Sequence, residues 1–157
     1  MKTIKLQNKE VIPVYQALEN IVVQGRKPRR GKGKLQKVLK AKNEEHIEDL
    51  NEIRSDYFKK EEDGTFAENN GNLVWLDKYK DDQAVKNKAN EQTKELNEEI
   101  IGIDLVEHES KIKSFLDALE KDEFTGKDNL RDEDFETLME LLENAFEGNE
   151  DMKEEEK

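Results

Sequence analysis

Histidine is the usual general base near neutral pH, and this chain contains two, His46 and His108. His46 falls in a helical pattern among glutamates, and His108 stands in the tripeptide Glu-His-Glu. These surroundings indicate that both histidines lie on the surface among carboxylates. A metal site that joins His108 to Asp104, Glu107 or Glu109 is disfavoured, because successive residues rarely converge on one ion. We therefore predict no catalytic residue and no metal site.

The glycines between Gly25 and Gly33 invite comparison with a phosphate-binding P-loop. That motif needs four residues between its glycines and a Ser or Thr after the lysine. Here five residues separate Gly25 from Gly31, and Gly33 follows Lys32. The chain also lacks cysteine, and no segment has the order of ligands that a calcium loop requires. The sequence thus predicts a protein that is not an enzyme and needs no cofactor.

Residues 25–42 carry nine basic side chains and no acidic one. Such a segment can bind phosphate, or it can dock onto an acidic surface of a partner or of the chain itself. A pI of about 4.8 and the lack of an aromatic residue in the segment disfavour nucleic acid. Because Gly25, Pro28, Gly31 and Gly33 interrupt regular elements, we predict a loop over residues 25–33, and we expect it to dock a partner protein. The candidate docking residues of this basic loop are Arg26, Lys27, Arg29, Arg30, Lys32 and Lys34.

The chain has 157 residues, a length typical of one domain, and 42% of them are charged against 33% hydrophobic. The net charge of -12 is divided unevenly, since residues 1–60 sum to +7 and residues 61–157 to -19. The longest apolar runs are far shorter than the roughly 20 residues of a membrane span. We see no apolar segment of a secretory signal near the N-terminus, and therefore expect a cytoplasmic protein without membrane contact.

The apolar spacing predicts an α+β fold that is predominantly helical, with about five helices and one small antiparallel or mixed sheet. That sheet is expected to combine an N-terminal strand, a hairpin turning at 69–71 and a strand near 101–106. The predicted helices are 9–21, 34–60, a weakly packed one from 77 or 81 to about 100, one that starts at Ser110, and a last one from 132 to Gly148.

We predict a single helix-rich domain over residues 1–148 and a disordered acidic tail over 149–157. The residues expected in its core are Leu39, Leu50, Ile53, Phe115, Leu138 and Leu142. The apolar stripe from Val85 to Ile100 is sparse, and the helix over 34–60 is long. Both features leave room for a partner helix, so a homo-oligomer is one of the expected assemblies.

A short strand, a helix, a basic glycine-rich segment, a long helix and an Asp-Gly hairpin follow one another in this chain. The segments that carry this order are 1–11, 25–39, 52–64 and 110–119. In them the chain resembles a family of small bacteriophage proteins of unknown function, found in tailed phages and prophages of Gram-positive bacteria. The resemblance covers most of the chain apart from the tail.

The resemblance implies a setting, the cytoplasm of a bacterial host, and it transfers no functional residue. Two functions stay open. The first is a non-catalytic assembly or interaction component that binds another phage protein or a host protein. The second is an acidic regulatory or anti-host factor that mimics nucleic acid. A nucleic-acid binder that acts through the basic loop is the third and weakest alternative.

Overall fold

A computed structural model describes residues 2–148, which form an α+β fold dominated by five α-helices. The described residues also contain six short strands and no helix long and apolar enough to cross a membrane. The strands are β1 (Thr3–Gln7), β2 (Ile21–Val23), β3 (Glu68–Asn69), β4 (Asn72–Leu73), β5 (Ile100–Asp104) and β6 (Phe124–Gly126). The helices are α1 (Val11–Glu19), α2 (Arg26–Tyr57), α3 (Gln83–Glu98), α4 (Glu109–Glu120) and α5 (Asp132–Glu143), the last continued by a π-turn at Asn144–Gly148.

The chain divides into two compact units. Within the described residues, the first unit contains 2–43 and 100–148, and the second contains 44–99. The sequence suggested one domain over 1–148. The acidic tail predicted at 149–157 lies outside the described residues.

The first unit holds most of the buried apolar side chains. Strand β1 pairs antiparallel with β5, and Ile4 faces Ile103 in the register. Both side chains are buried because alternate residues of a strand share one face. The helices α1, α4 and α5 and the first part of α2 add the rest of this core, with Leu18, Leu35, Leu39, Phe115, Leu116, Leu138 and Leu142 almost fully buried.

Strand β2 pairs antiparallel with β6 in a second sheet. The sequence predicted that the first helix reaches Ile21, and this prediction is corrected. The α-helix ends at Glu19, and Ile21 is fully buried in the strand opposite Gly126. The β-branched run Ile21–Val23 favours the extended backbone because such side chains pack well on a pleated surface.

The loop predicted at 25–33 is wrong, since α2 is continuous from Arg26 onward. Gly25 takes a left-handed backbone with φ of 91° just before the helix. Pro28 lies in the first turn, where its missing N–H costs no helical hydrogen bond. Gly31 lies against α4, and a Cβ atom there would collide with the backbone carbonyl of Lys111. The glycine permits a close helix approach that the sequence alone did not reveal.

The second unit contains the hairpin of β3 and β4. Asn70 and Gly71 form its turn with φ of 54° and 83°, as the Asn-Gly pair predicted. The single sheet predicted from the sequence is corrected, because the described strands form three separate two-stranded sheets and the hairpin joins neither of the others.

Four of the six predicted core residues are buried, namely Leu39, Phe115, Leu138 and Leu142. The prediction is wrong for Leu50 and Ile53, which are only half-buried on α2. In their unit, α3 supplies only Ala89 and Leu96 as buried residues. The sparse apolar stripe of α3 therefore leaves this part of α2 incompletely covered.

Candidate interaction surface

All six residues predicted for the basic loop lie in the first turns of α2. Arg26, Lys27, Arg29 and Arg30 are exposed, whereas Lys32 and Lys34 are half-buried. The structure therefore places the predicted docking residues on a rigid helix. Four of the six side chains therefore face solvent, and the other two are partly shielded from it.

Lys32 has a structural partner within the first unit. Its Nζ donates a hydrogen bond to the carbonyl oxygen of Ile21 at 2.5 Å. Burial lowers the pKa of Lys32, and the positive charge of Lys127 lowers it further. This side chain ties α2 to β2, so we remove it from the candidate docking residues.

The solvent side of α2 carries a straight row of cations, interrupted by one glycine, which we call the basic ridge. Its members recur at steps of three and four residues and are all exposed: Arg26, Arg30, Gly33, Lys37 and Lys40. They span about 21 Å at 1.5 Å per residue. The opposite side of the same turns is buried at Gly31, Leu35 and Leu39. Helical periodicity would have added Lys37 and Lys40 to the candidate set, but the predicted loop concealed it.

The basic ridge begins at the positive end of a helix dipole. The first turn of α2 contains no acidic residue, although acids stabilise a helix N-terminus and cations destabilise it. Within residues 2–148, Arg26, Arg30, Lys37 and Lys40 have no ion pair, and the neighbouring Arg29 donates from Nε to the carbonyl oxygen of Gly25 at 3.1 Å. The ridge is therefore an unneutralised cationic surface that suits an anionic partner.

Gly33 forms a gap in the middle of the basic ridge. A Cβ atom at this position would meet no atom within 4 Å, so nothing in the described residues requires glycine here. Glycine inside a helix costs about 1 kcal/mol relative to alanine. A glycine that lowers helix stability without an internal contact leaves the helix backbone open to close approach from outside.

A small apolar cavity of about 150 Å³ opens beside the last residue of the ridge. Its lining comes from α1 and α2 and consists of Val11, Ile12, Tyr15, Leu39, Lys40 and Asn43. The side-chain oxygen Oδ1 of Asn43 is buried and has no hydrogen-bond partner within residues 2–148. A buried polar atom is normally paired, so Asn43 Oδ1 is an exception among the described side chains.

The two histidines lie in different units. In the second unit, His46 Nε2 lies 2.9 Å from Asn97 Oδ1 and links α2 to α3. In the first unit, His108 Nε2 lies 3.8 Å from a carboxylate oxygen of Glu107, and its Nδ1 is buried without a partner among residues 2–148. Across those residues no group of three His, Cys, Asp or Glu could hold a metal ion.

The carboxylates near His108 have contacts of their own. Asp104 Oδ1 accepts a hydrogen bond from the Val106 backbone at 2.9 Å, and Glu109 lies 3.6 Å from the ammonium of Lys2. The local backbone thus accounts for the position of the Asp104 carboxylate, and the charge of Lys2 accounts for that of Glu109.

An open cleft of about 510 Å³ in the second unit surrounds Trp75. The indole ring lies 4.4 Å from the ring of Phe58, and the ammonium of Lys86 lies 5.6 Å from the indole. These aromatic and cationic contacts of the indole ring therefore come from residues of the second unit. Trp75 acts as a packing anchor beside the hairpin.

No family model, curated protein or solved structure matches this chain significantly. The resemblance to phage proteins of unknown function therefore stays a prediction from the sequence. Function has to be inferred from the charge and shape of the described surface.

Proposed function

We propose that this protein is a non-catalytic interaction component that docks an acidic protein partner through the basic ridge. The observation that supports the proposal is the ridge itself, four unpaired cations in a row of about 21 Å on the solvent side of a helix. The buried opposite side of these turns fixes the helix, so the backbone that carries the charges needs little ordering when a partner binds.

An acidic protein fits the ridge better than nucleic acid does. The ridge contains no aromatic side chain on which a base could stack. The next charges along the chain after Asn43 are Glu44 and Glu45, so the cationic surface is short. A protein partner can match a short charged row, whereas a duplex presents phosphates well beyond it.

The setting that we propose is a phage or prophage gene product in the cytoplasm of its bacterial host. The support is the resemblance over residues 1–11, 25–39, 52–64 and 110–119. The partner is then another phage protein or a host protein. A second copy of this chain, with its acidic residues 61–157, is the alternative partner.

Affinity capture with two matched variants tests the proposal. The ridge variant is Arg26→Glu/Arg30→Glu/Lys37→Glu, and the control variant is Lys88→Glu/Lys94→Glu/Lys121→Glu. All six positions are exposed and both variants change the net charge equally. The acid at position 26 lies in the first turn of α2, where it favours the helix, and the melting temperatures of both variants show whether they are folded.

We expect the wild type and the control variant to capture the same acidic protein from induced cells, and the ridge variant to lose it. The complex should weaken as salt rises from 0.15 to 0.5 M, since exposed charge pairs are screened. Capture that survives in the ridge variant contradicts the proposal. A salt-sensitive complex of the wild type with a generic 20-base-pair duplex, lost in the ridge variant, would replace it with nucleic-acid binding.

A further inference from the structure

The solvent side of α5 and its π-turn carries a row of carboxylates, which we call the acidic row. Its members recur at steps of three and four residues, and all are exposed except the half-buried fourth: Glu133, Glu136, Glu140, Glu143 and Glu147. Within residues 2–148, Glu133 alone among them has an ion pair, with Arg131 at 3.5 Å. The other four carboxylates can therefore meet cations from another molecule.

A groove of about 430 Å³ lies beside the acidic row, between the end of α4 and α5. Its lining combines three apolar side chains, Leu119, Phe135 and Met139, with five carboxylates: Glu120, Asp122, Glu136, Glu143 and Glu147. Such a groove suits a cationic helix, because the aliphatic stems of Arg and Lys cover apolar side chains while their charged ends meet the carboxylates.

The basic ridge matches the acidic row in length and spacing. Read from Lys40 back to Arg26, the ridge has steps of three, four, three and four residues, and the row has the same steps when it is read forward. An antiparallel alignment of the two helices therefore gives four pairs of opposite charge: Lys40 with Glu133, Lys37 with Glu136, Arg30 with Glu143 and Arg26 with Glu147.

The antiparallel alignment also suits the helix dipoles and Gly33. The positive N-terminal end of α2 comes beside the negative C-terminal end of α5, so the two ends attract. Gly33 then lies opposite Glu140, where a Cβ atom would meet no atom of its own chain within 4 Å. The gap in the ridge thus leaves room for the one carboxylate of the row that has no cation opposite it.

The charge of the first unit allows two copies of it to meet. Residues 2–43 hold 12 basic and 2 acidic side chains, and residues 100–148 hold 5 basic and 15 acidic ones. These two parts therefore carry +10 and -10, and the unit that contains both surfaces has no net charge.

We propose that this protein self-associates, with the basic ridge of one copy antiparallel to the acidic row of a second copy. The inference rests on the proposed function, since it names the second copy as an acidic partner of the same ridge. Within residues 2–148 of one chain no ion pair joins the ridge to the row, so the pairing requires another molecule. Complementary charges of this kind fix the register of an interface.

Complementary charge reversal on the purified full chain tests the pairing. The row variant Glu136→Lys/Glu143→Lys/Glu147→Lys reverses the three carboxylates that lie opposite the positions of the ridge variant. Its control is Glu52→Lys/Glu62→Lys/Glu91→Lys, which reverses three exposed acids of the second unit and changes the net charge equally. Melting temperatures show that each variant is folded.

The wild type and both controls should associate at low salt with a dissociation constant of about 0.1 to 1 mM in sedimentation equilibrium, because exposed ion pairs are individually weak. The ridge variant and the row variant should each stay monomeric alone, since both of its surfaces then have the same sign. Their equimolar mixture should associate with an affinity within about threefold of the wild type, and about 0.5 M salt should dissociate it.

A wild type that stays monomeric at about 1 mM would overturn the inference, and so would a mixture of the two variants that stays monomeric. Carbodiimide cross-links between labelled and unlabelled copies should join Lys40 to Glu133 and Lys37 to Glu136. Links from these lysines to Glu147 would overturn the antiparallel orientation.

The row variant separates this inference from the proposed function. It keeps the basic ridge, so it should capture a different acidic protein as the wild type does. Capture that is lost only in the ridge variant, without self-association of the wild type, would leave the proposed function standing and sink the inference. Association of the mixed variants, together with a captured partner that ignores the ridge, would do the reverse.

Discussion

Two glycines of α2 that are only two residues apart have opposite physical roles. Gly31 faces α4, where any side chain would strike the carbonyl of Lys111, and Gly33 faces open solvent. The sequence shows both as glycines of one basic segment. Only the position of Lys111, 80 residues further along the chain, distinguishes a packing glycine from one that nothing inside the described residues requires.

Gly33→Ala should raise the free energy of unfolding by about 1 kcal/mol, because alanine loses less backbone entropy in a helix. Gly31→Ala should lower it by about 1 to 3 kcal/mol or more through overpacking against α4. Urea denaturation of both variants measures the difference. The same sign of change for the two substitutions would contradict the packing described for α2.

Lys32 should make stability depend on pH in the alkaline range. Its pKa in the folded protein is lowered by burial and by Lys127, so the folded state holds this proton less tightly than the unfolded state does. The unfolded chain therefore binds more protons between the lowered pKa and 10.5, and stability gains from Lys32 as pH rises through that window.

Comparison with Lys32→Met isolates this effect. The difference in unfolding free energy between the wild type and the variant should move in favour of the wild type from pH 8 to about pH 10.5. Thermal or urea unfolding at the two pH values gives the difference. A shift in favour of the variant would show that Lys32 is not desolvated in the folded state.

Among the elements of secondary structure, helices with a regular apolar spacing could be predicted from the sequence, whereas the glycine-containing start of α2 could not. The apolar spacing of α4 and α5 and the Asn-Gly turn of the hairpin act locally, so the sequence predicted them. The first turns of α2 combine two glycines and repelling cations, and both features disfavour a helix locally. Packing of Leu35 and Leu39 into the core of the first unit overrides that preference.

The sequence predicted that Leu50 and Leu138 are both buried, but only Leu138 is. Leu138 is fully buried on α5, so Leu138→Ala should cost about 2 to 5 kcal/mol. Leu50 is half-buried on α2, and Leu50→Ala should cost about 1 kcal/mol or less, since water fills the space that it leaves. Chemical denaturation checks both values. Equal losses would mean that Leu50 is covered in solution by a partner.

For the whole molecule, charge and apolar burial are distributed unevenly. The buried hydrophobic residues of the second unit are Tyr57, Ala89 and Leu96, and polar bonds such as Tyr57 Oη to Gln92 Oε1 at 2.9 Å supplement them. The low hydrophobic fraction indicated a small apolar core, but it could not show that nearly all of the buried apolar residues belong to the first unit. The candidate surface was predictable as a charged segment, but its straight geometry depended on the helix.

Amide hydrogen exchange should reveal this division. Local opening is easiest where few apolar contacts are buried, so amides of α3 should exchange faster than those of α4 and α5. Mass spectrometry of peptides from the full chain measures the rates. Equal protection of α3 and α5 would contradict the difference in burial between the units.

Mapping of zero-length carbodiimide cross-links in the captured complex tests the basic ridge most directly, because the reagent joins an ammonium to a carboxylate in contact. We predict links from Lys37 and Lys40 to acidic residues of the partner, with few from the equally exposed Lys88 and Lys94. Links that concentrate on Lys88 and Lys94, or that spare the ridge lysines, would contradict the proposal that this surface docks the partner.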